Sequence, residues 1–355
     1  MASSAIVGAA VLVASPAAAQ ELKLSAFQQF MVSAGDADKS VGGDSSDRGF
    51  GFATNTEIHV TGTIMADNGI TFGFRVELEA DAGSTNNVDE NSIWAQGSFG
   101  KLEFGNNDGA EDFMMVNGSN SGVDYGGVGN PTSNFLSSAF AGAARTSVDF
   151  RGGVDSSDAT KITYTTPNFN GFSAGISYTP DTSHDGAGNS FNDADSTGIH
   201  DHVGLGLKYS GEFNGVGLDL ALVGAFGHAD GEPEDTAYGI GGGMAVSFSG
   251  FTIAAGVVWD DKDGGSDGSG NATGEGWAVD LGIGYGAGPW NFSINGIYSD
   301  DDDTGDELLG GSANVGYNLA PGVSVFVTGY VGSEDLGSGG DNDIVAITSG
   351  LKVSF

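Results

Sequence analysis

Fifteen breaks divide this sequence into sixteen strand-like runs, and the breaks are of two kinds that alternate along the chain. One kind is short and nearly free of acids: residues 66–69, 97–100, 167–171, 211–215, 247–250, 286–290 and 318–322. The other is longer, acidic and rich in Gly, Ser and Asn: residues 34–47, 81–91, 106–158, 180–201, 228–235, 260–274, 300–307 and 333–342. Strict interleaving of this sort places every long loop at one end of an up-and-down antiparallel array.

The runs between the breaks are about ten residues long, the length a tilted strand needs to cross a bilayer. Side chains alternate within them with the period of two that marks a strand. Phe74, Val76 and Leu78 fall on one face, Arg75, Glu77 and Glu79 on the other. Ile58 and Val60 oppose Glu57, His59 and Thr61. In the last run Val345, Ile347, Ser349, Leu351, Val353 and Phe355 alternate with Ala346, Thr348, Gly350, Lys352 and Ser354. Such alternation fits a soluble sandwich with its apolar face inward, and equally a membrane barrel with its apolar face on lipid.

Three features favour the barrel. The long loops gather at one end. Aromatics flank the short turns, as in an interfacial girdle: Phe72, Phe99, Phe169, Phe172, Phe213, Phe248, Phe251, Trp290 and Phe292. An even strand count lets a first strand, residues 21–32, pair with a last one, residues 343–355, which removes both sheet edges. The expected fold is therefore all-β, a 16-stranded antiparallel transmembrane β-barrel. A barrel of that width leaves an aqueous channel. The abnormally long connection, residues 106–158, is expected to fold into the lumen and narrow it.

Charge and composition exclude several functions. Forty-seven acids against 11 bases give a net charge of −36, which repels nucleic-acid phosphates. The absence of Cys removes disulfides, thiolate metal sites and Cys nucleophiles. Aromatics at 10% are too many for a disordered acidic chain. Residues 1–19 read as an export signal: an apolar run from Ala5 to Ala14, then Pro16 and Ala17-Ala18-Ala19. Residues 20–355 would then be the barrel.

The stretch SIWAQGSFGKLEFGNNDGAEDFM, Ser92 to Met114, resembles the trimeric general diffusion porins of Gram-negative bacteria, most closely the alphaproteobacterial type. The tight turn from Gly97 to Lys101, the strand ending at Gly105 and the long loop after it are similar to that family's approach to its third loop. ELKLSAFQQF looks like the family's first strand, and ITYTTPNFNGFSAGISY like a later hairpin. The resemblance spans nearly all of residues 20–355. It implies passive, non-enzymatic passage of small hydrophilic solutes and ions through an outer-membrane homotrimer in contact with lipid and lipopolysaccharide. The terminal Phe355 is similar to the signal that barrel-insertion machinery reads. Asp108, Glu111, Asp112 and Asp124 match the acids of the family's pore loop. The wall opposite is expected to carry Lys23, Arg48 and Arg75, yet Glu57 and Glu77 lie where relatives carry bases. That departure implies a more negative lumen and cation preference. The alternative is a substrate-specific channel on the same barrel, which would need a lumenal track of aromatics and paired charges. No cofactor is expected, although the resemblance leaves a Ca²⁺ ion beside the loop acids open.

Other features carry weaker readings. The run Asp300 to Asp303, with Asp306 and Glu307, matches no calcium-loop spacing and reads as a solvated outer loop. His200 and His202 lack a third ligand, and His59 reads as a polar wall position. The Gly171-Phe-Ser-Ala-Gly175 stretch runs into a strand, which a nucleophile elbow does not. Arg145 and Arg151 are expected to pair with acids of their own loop, the alternative being that they face the pore. An outer-membrane enzyme and a secreted soluble β-protein are the rival classes. The first needs a held Ser/His pair or acidic dyad, and none stands out; the second would partition into water without detergent.

Overall fold

A computed structural model of the chain describes residues 20–38, 49–80, 88–121, 140, 145–150, 154–183, 198–229, 236–262 and 274–355. The export segment 1–19, Arg48, Asp124 and Arg151 lie outside the described residues. Among the described residues no helix is long and apolar enough to cross a membrane; the crossing elements are strands.

Sixteen strands form one closed antiparallel barrel in which each pairs with its sequence neighbours. They are β1 (Gln20–Ala37), β2 (Phe50–Met65), β3 (Thr71–Glu79), β4 (Val88–Gly97), β5 (Gly100–Asn106), β6 (Thr160–Thr165), β7 (Phe172–Asp181) and β8 (Ile199–Phe213). The second half comprises β9 (Val216–Ala229), β10 (Thr236–Phe248), β11 (Phe251–Lys262), β12 (Gly276–Ala287), β13 (Trp290–Asp301), β14 (Asp306–Ala320), β15 (Val323–Asp335) and β16 (Asp341–Ser354). The ring closes between β1 and β16, from Phe27 opposite Ser354 to Ala37 opposite Ile344. The Phe355 N–H extends the ladder by donating to Ala26 O at 2.8 Å.

The first strand runs longer than the hydrophobic pattern alone suggests, to Ala37. Two connections expected to be long are in fact tight, because their strands continue through the acidic residues. Between β13 and β14 only 302–305 turn the chain, and there Asp301 Oδ1 accepts from Thr304 N and Thr304 Oγ1, each at 2.9 Å. Side-chain capping of this kind stabilises a turn without a long loop. Between β15 and β16 the turn is 336–340.

The faces sort as the alternation requires. Leu22, Leu24, Ile294, Val327, Val345 and Ile347 point outward and are exposed, whereas Ser33, Thr328 and Thr348 on the inner face are buried. The expected girdle is present: Phe172 packs on Tyr209, Phe251 on Tyr285, and Trp290 on Tyr317, with ring centroids 4.7, 4.4 and 4.6 Å apart. A second belt lies toward the long-loop end, where Tyr238 meets Trp259 and Trp277 meets Tyr298. Its polar tips donate to rim carboxylates: Tyr238 to Asp261, Tyr298 to Glu307 and Trp259 Nε1 to Glu275, at 3.0, 2.8 and 2.9 Å. Amphipathic rings anchored this way suit the membrane–water boundary.

A charge placed on the outer band must enter hydrocarbon. Ile294→Arg, at one of the most exposed outward positions, is expected to cost about 2–4 kcal/mol of folding stability in a bilayer. Ser25→Arg, on the lumen face, is expected to change it by less than about 0.5 kcal/mol. Urea titration of the two variants in liposomes compares them.

Candidate functional site

The described parts of the connection from β5 to β6, residues 107–121, 140, 145–150 and 154–159, run inside the barrel. The connection begins with the single-turn helix α1 (Ala110–Phe113), which packs on β7, β8 and β9. A 3₁₀ turn, Gly118–Ser121, then packs on β10 to β13. Glycines on the inner wall make room for this course. A Cβ on Gly204 would stand 1.5 Å from Glu111 Oε2, one on Gly243 1.8 Å from Val116 O, and one on Gly282 2.1 Å from Gly118 O. The wall beside the loop is apolar where a water-filled lumen would be polar. Met114, Val148, Phe150 and Val154 of the loop bury against Ile199, Val223, Val258, Ile297 and Leu308.

Buried polar groups fix the loop to that wall. Glu111 was expected on the pore side, but it is 1% exposed and turned to the barrel. Its Oε1 accepts from Ser156 Oγ at 2.6 Å and Ser156 N at 3.2 Å, and its Oε2 from Ser177 Oγ at 3.1 Å. The reason is that Ser177 and the small inner faces of β7 and β8 offer this carboxylate hydrogen bonds that open water would only match. His202 is fully buried beside it, 3.9 Å from Glu111 Oε1 and 2.9 Å from Val154 O, so its role is structural. The Asp280 carboxylate accepts from the N–H groups of Gly118 and Gly256 at 2.8 Å. Arg145 was expected to pair with acids of its own loop. It instead meets Asp260 of β11, Nη2 to Oδ1 at 2.6 Å, and donates to Gly276 O. Ser173, in the stretch that mimics a nucleophile elbow, sits in β7 and leads into no helix.

At the loop's two described ends, Asp108 and Asp158 face the early strands, and carboxylates dominate the gap. On the wall, His59 pairs across the ladder with Glu77 and stands two residues from Glu57 on the same face of β2. His59 Nε2 lies 2.8 Å from Glu57 Oε2 and 3.3 Å from Glu77 Oε2. Arg75 Nε makes an ion pair with Glu77 Oε1. Glu90, at the start of β4, rests its carboxyl against Glu77 and clusters with Asp108 and Asp158 of the loop. The glutamates at 57 and 77 and the aspartate at 108 are therefore brought together with the arginine at 75. Lys23 is exposed one ladder step further toward the short turns, opposite Thr61.

Several contributors escaped the sequence reading. Asp89 and Glu90 sit in β4, although the acidic run 81–91 reads as an outer loop. Lys101 pairs with Glu103 at 2.5 Å, and Lys352 stands over the Phe27 ring at 4.0 Å. The period-two pattern of β5 and β16 already put both lysines on the inner face. Lys161 is buried and donates to Asn107 O and Ser157 O, so it closes the loop base.

Confinement raises the loop carboxyls. Burial, reinforced by Asp155, Asp108 and Asp149, pushes Asp112 up to about 9. Burial takes Asp155 up to about 7, against a hydrogen bond from the Ser157 N–H. Burial, with the charges of Asp89 and Asp108, takes Asp158 up to about 6 while Lys161 opposes. Groups raised from 3.8 favour the protonated folded state. Their contribution to stability is full at low pH and is lost as pH rises through these values.

A closed sixteen-strand barrel with an inward loop and an acidic gap defines a channel protein of the outer membrane. A model of the Gram-negative porin family matches residues 2–336, and the chain belongs to that family. Its members are non-enzymatic channels of the Gram-negative outer membrane. Comparison with curated proteins gave no match. Solved structures similar to this chain include an anion-selective porin from Comamonas acidovorans, at 15% identity and TM-score 0.65, covering 95% of this chain and 100% of that one. A mutant of the Rh. blastica porin is 18% identical with TM-score 0.60, covering 94% and 100%. The outer membrane channel DcaP of Acinetobacter baumannii is 13% identical with TM-score 0.61, covering 95% and 97%. At these identities the likeness shows the fold.

Removing the Glu111 carboxylate leaves Ser156 and Ser177 buried with fewer partners. Glu111→Ala is expected to lose about 2–4 kcal/mol and to make single-channel traces flicker. Glu111→Gln should be milder. A changed ion selectivity at unchanged stability would instead place Glu111 on the pore. Thermal unfolding and single-channel recording read the difference.

Proposed function

We propose that the protein is a general diffusion porin that passes small hydrophilic solutes and ions, with preference for cations. The observation that carries this reading is the charge in the gap between loop and early strands. Glu57, Glu77, Glu90, Asp108 and Asp158 crowd there, while Arg75 is engaged by Glu77 and Lys161 is buried at the loop base. Rings of carboxylates concentrate cations and exclude anions. Among the described residues no lumenal track of aromatics with paired charges favours a dedicated substrate. On this reading Asp108 and Asp112 form the loop side of the constriction, Asp124 takes the same role by family resemblance, and Lys23, Arg48, Glu57, Arg75 and Glu77 form the wall. Glu111 acts as the loop's anchor. Residues 1–19 direct export, Phe355 is the recognition end for barrel insertion, and three barrels assemble in the membrane in contact with lipopolysaccharide, as family membership suggests.

Planar-bilayer recording under a salt gradient tests the proposal. Steps that close in threes, with a cation-selective reversal potential, are expected. Because Asp155 and Asp158 ionise near 7 and 6, cation selectivity should grow as pH rises from about 5 to 8. An anion-selective potential across that range would overturn the cation preference and leave the channel.

A further inference from the structure

We propose that Glu57, His59 and Glu77 form a lumen-facing site for a divalent transition metal of the Zn²⁺ class, and that its occupancy throttles the channel. The inference rests on the channel reading above. The three side chains share the inner face of two adjacent strands, and one ligand atom from each lies within 4.8 Å of the others. Zn²⁺ bonds of about 2.0–2.1 Å put neighbouring ligand atoms roughly 2.9–3.4 Å apart. The observed separations of 2.8 and 3.3 Å from His59 Nε2 need only a few tenths of an ångström of adjustment.

The chemistry of the set selects the ion. One imidazole nitrogen with two carboxylates suits Zn²⁺, whereas Ca²⁺ and Mg²⁺ favour oxygen alone. A neutral imidazole offers Nε2 either one proton or one lone pair, so it cannot donate to both carboxylates at once. A metal ion in their midst engages all three. Glu77 gives an independent sign. It is 7% exposed, and its Oε1 is ion-paired with Arg75. Arg75 on Oε1 leaves Oε2 turned toward His59, where the metal would sit. With three protein ligands, the remaining positions open to lumenal water. A bound dication neutralises the wall's two glutamates beside the constriction, which lowers both conductance and cation preference.

The test pairs calorimetric titration of the detergent-purified trimer with bilayer recording, first in chelator-treated buffer and then with added zinc. One zinc site per chain of micromolar affinity is expected, with a saturable drop in step size. His59→Ala and the better-filling His59→Asn should each weaken binding about tenfold or more and lose the zinc-induced drop measured against their own zinc-free steps. Calcium at the same concentrations should leave the steps unchanged. Absence of a zinc site in the wild type, its survival in both His59 variants, or an equal response to calcium would overturn the proposal. Full steps in metal-free buffer keep the channel reading whichever way the titration falls. Missing steps count against that reading separately.

Discussion

Lipid offers no hydrogen bonds, so every backbone amide in the outer band must find its partner inside the protein. The closure of β1 on β16 is what meets that demand here. From Phe27 opposite Ser354 through Ala37 opposite Ile344, the two ends of the sheet satisfy each other, and no edge remains. With sixteen strands in the ring, the interior is too wide for side chains to fill. The outer face then has to be apolar, the inner face has to be hydrated or covered, and something has to occupy the lumen.

The covering is the long third loop, and the wall is built to receive it. Glycines at 204, 243 and 282 form a trough in which a methyl group would collide with loop atoms. Apolar residues on the inner faces of β8 to β14 replace the polar ones that water would require. The polar contacts are few and buried: Glu111 to the two serines, Asp280 to two backbone amides, Arg145 to Asp260. Asp108 and Asp158 are pressed toward Glu90, and burial there, reinforced by neighbouring charges, raises Asp158. The same wall that anchors the loop thereby sets the electrostatics of the pore.

The two aromatic belts mark the height of the apolar band. The lower one lies where short turns force the strands to reverse, so its residues cluster near Gly and Pro and are easy to read. The upper one is spread over strands whose acidic ends look like loop. Tyr238, Tyr298 and Trp259 reach rim carboxylates only because the strands continue past the apolar stretch.

Local pattern was enough to read the strand number, the inner and outer faces, the lower girdle and the existence of an inward loop. Strand pairing in an up-and-down array is between sequence neighbours, so period-two alternation and connection length carry almost all of that information. The inward placement of Glu57, Arg75 and Glu77 followed from alternation as well. Which way a loop side chain turns did not, because that depends on contacts with residues far along the chain. Glu111 faces Ser177 across 66 positions and Arg145 faces Asp260 across 115, and neither partner is marked by spacing. Asp89 and Glu90 read as outer loop because acidity outweighed the short strand pattern around them. The sequence by itself determined a closed channel with an acidic bias. The tertiary structure decided which acids meet across the lumen, since convergence of β2, β3, β4 and the loop base is a product of barrel closure and not of any local stretch.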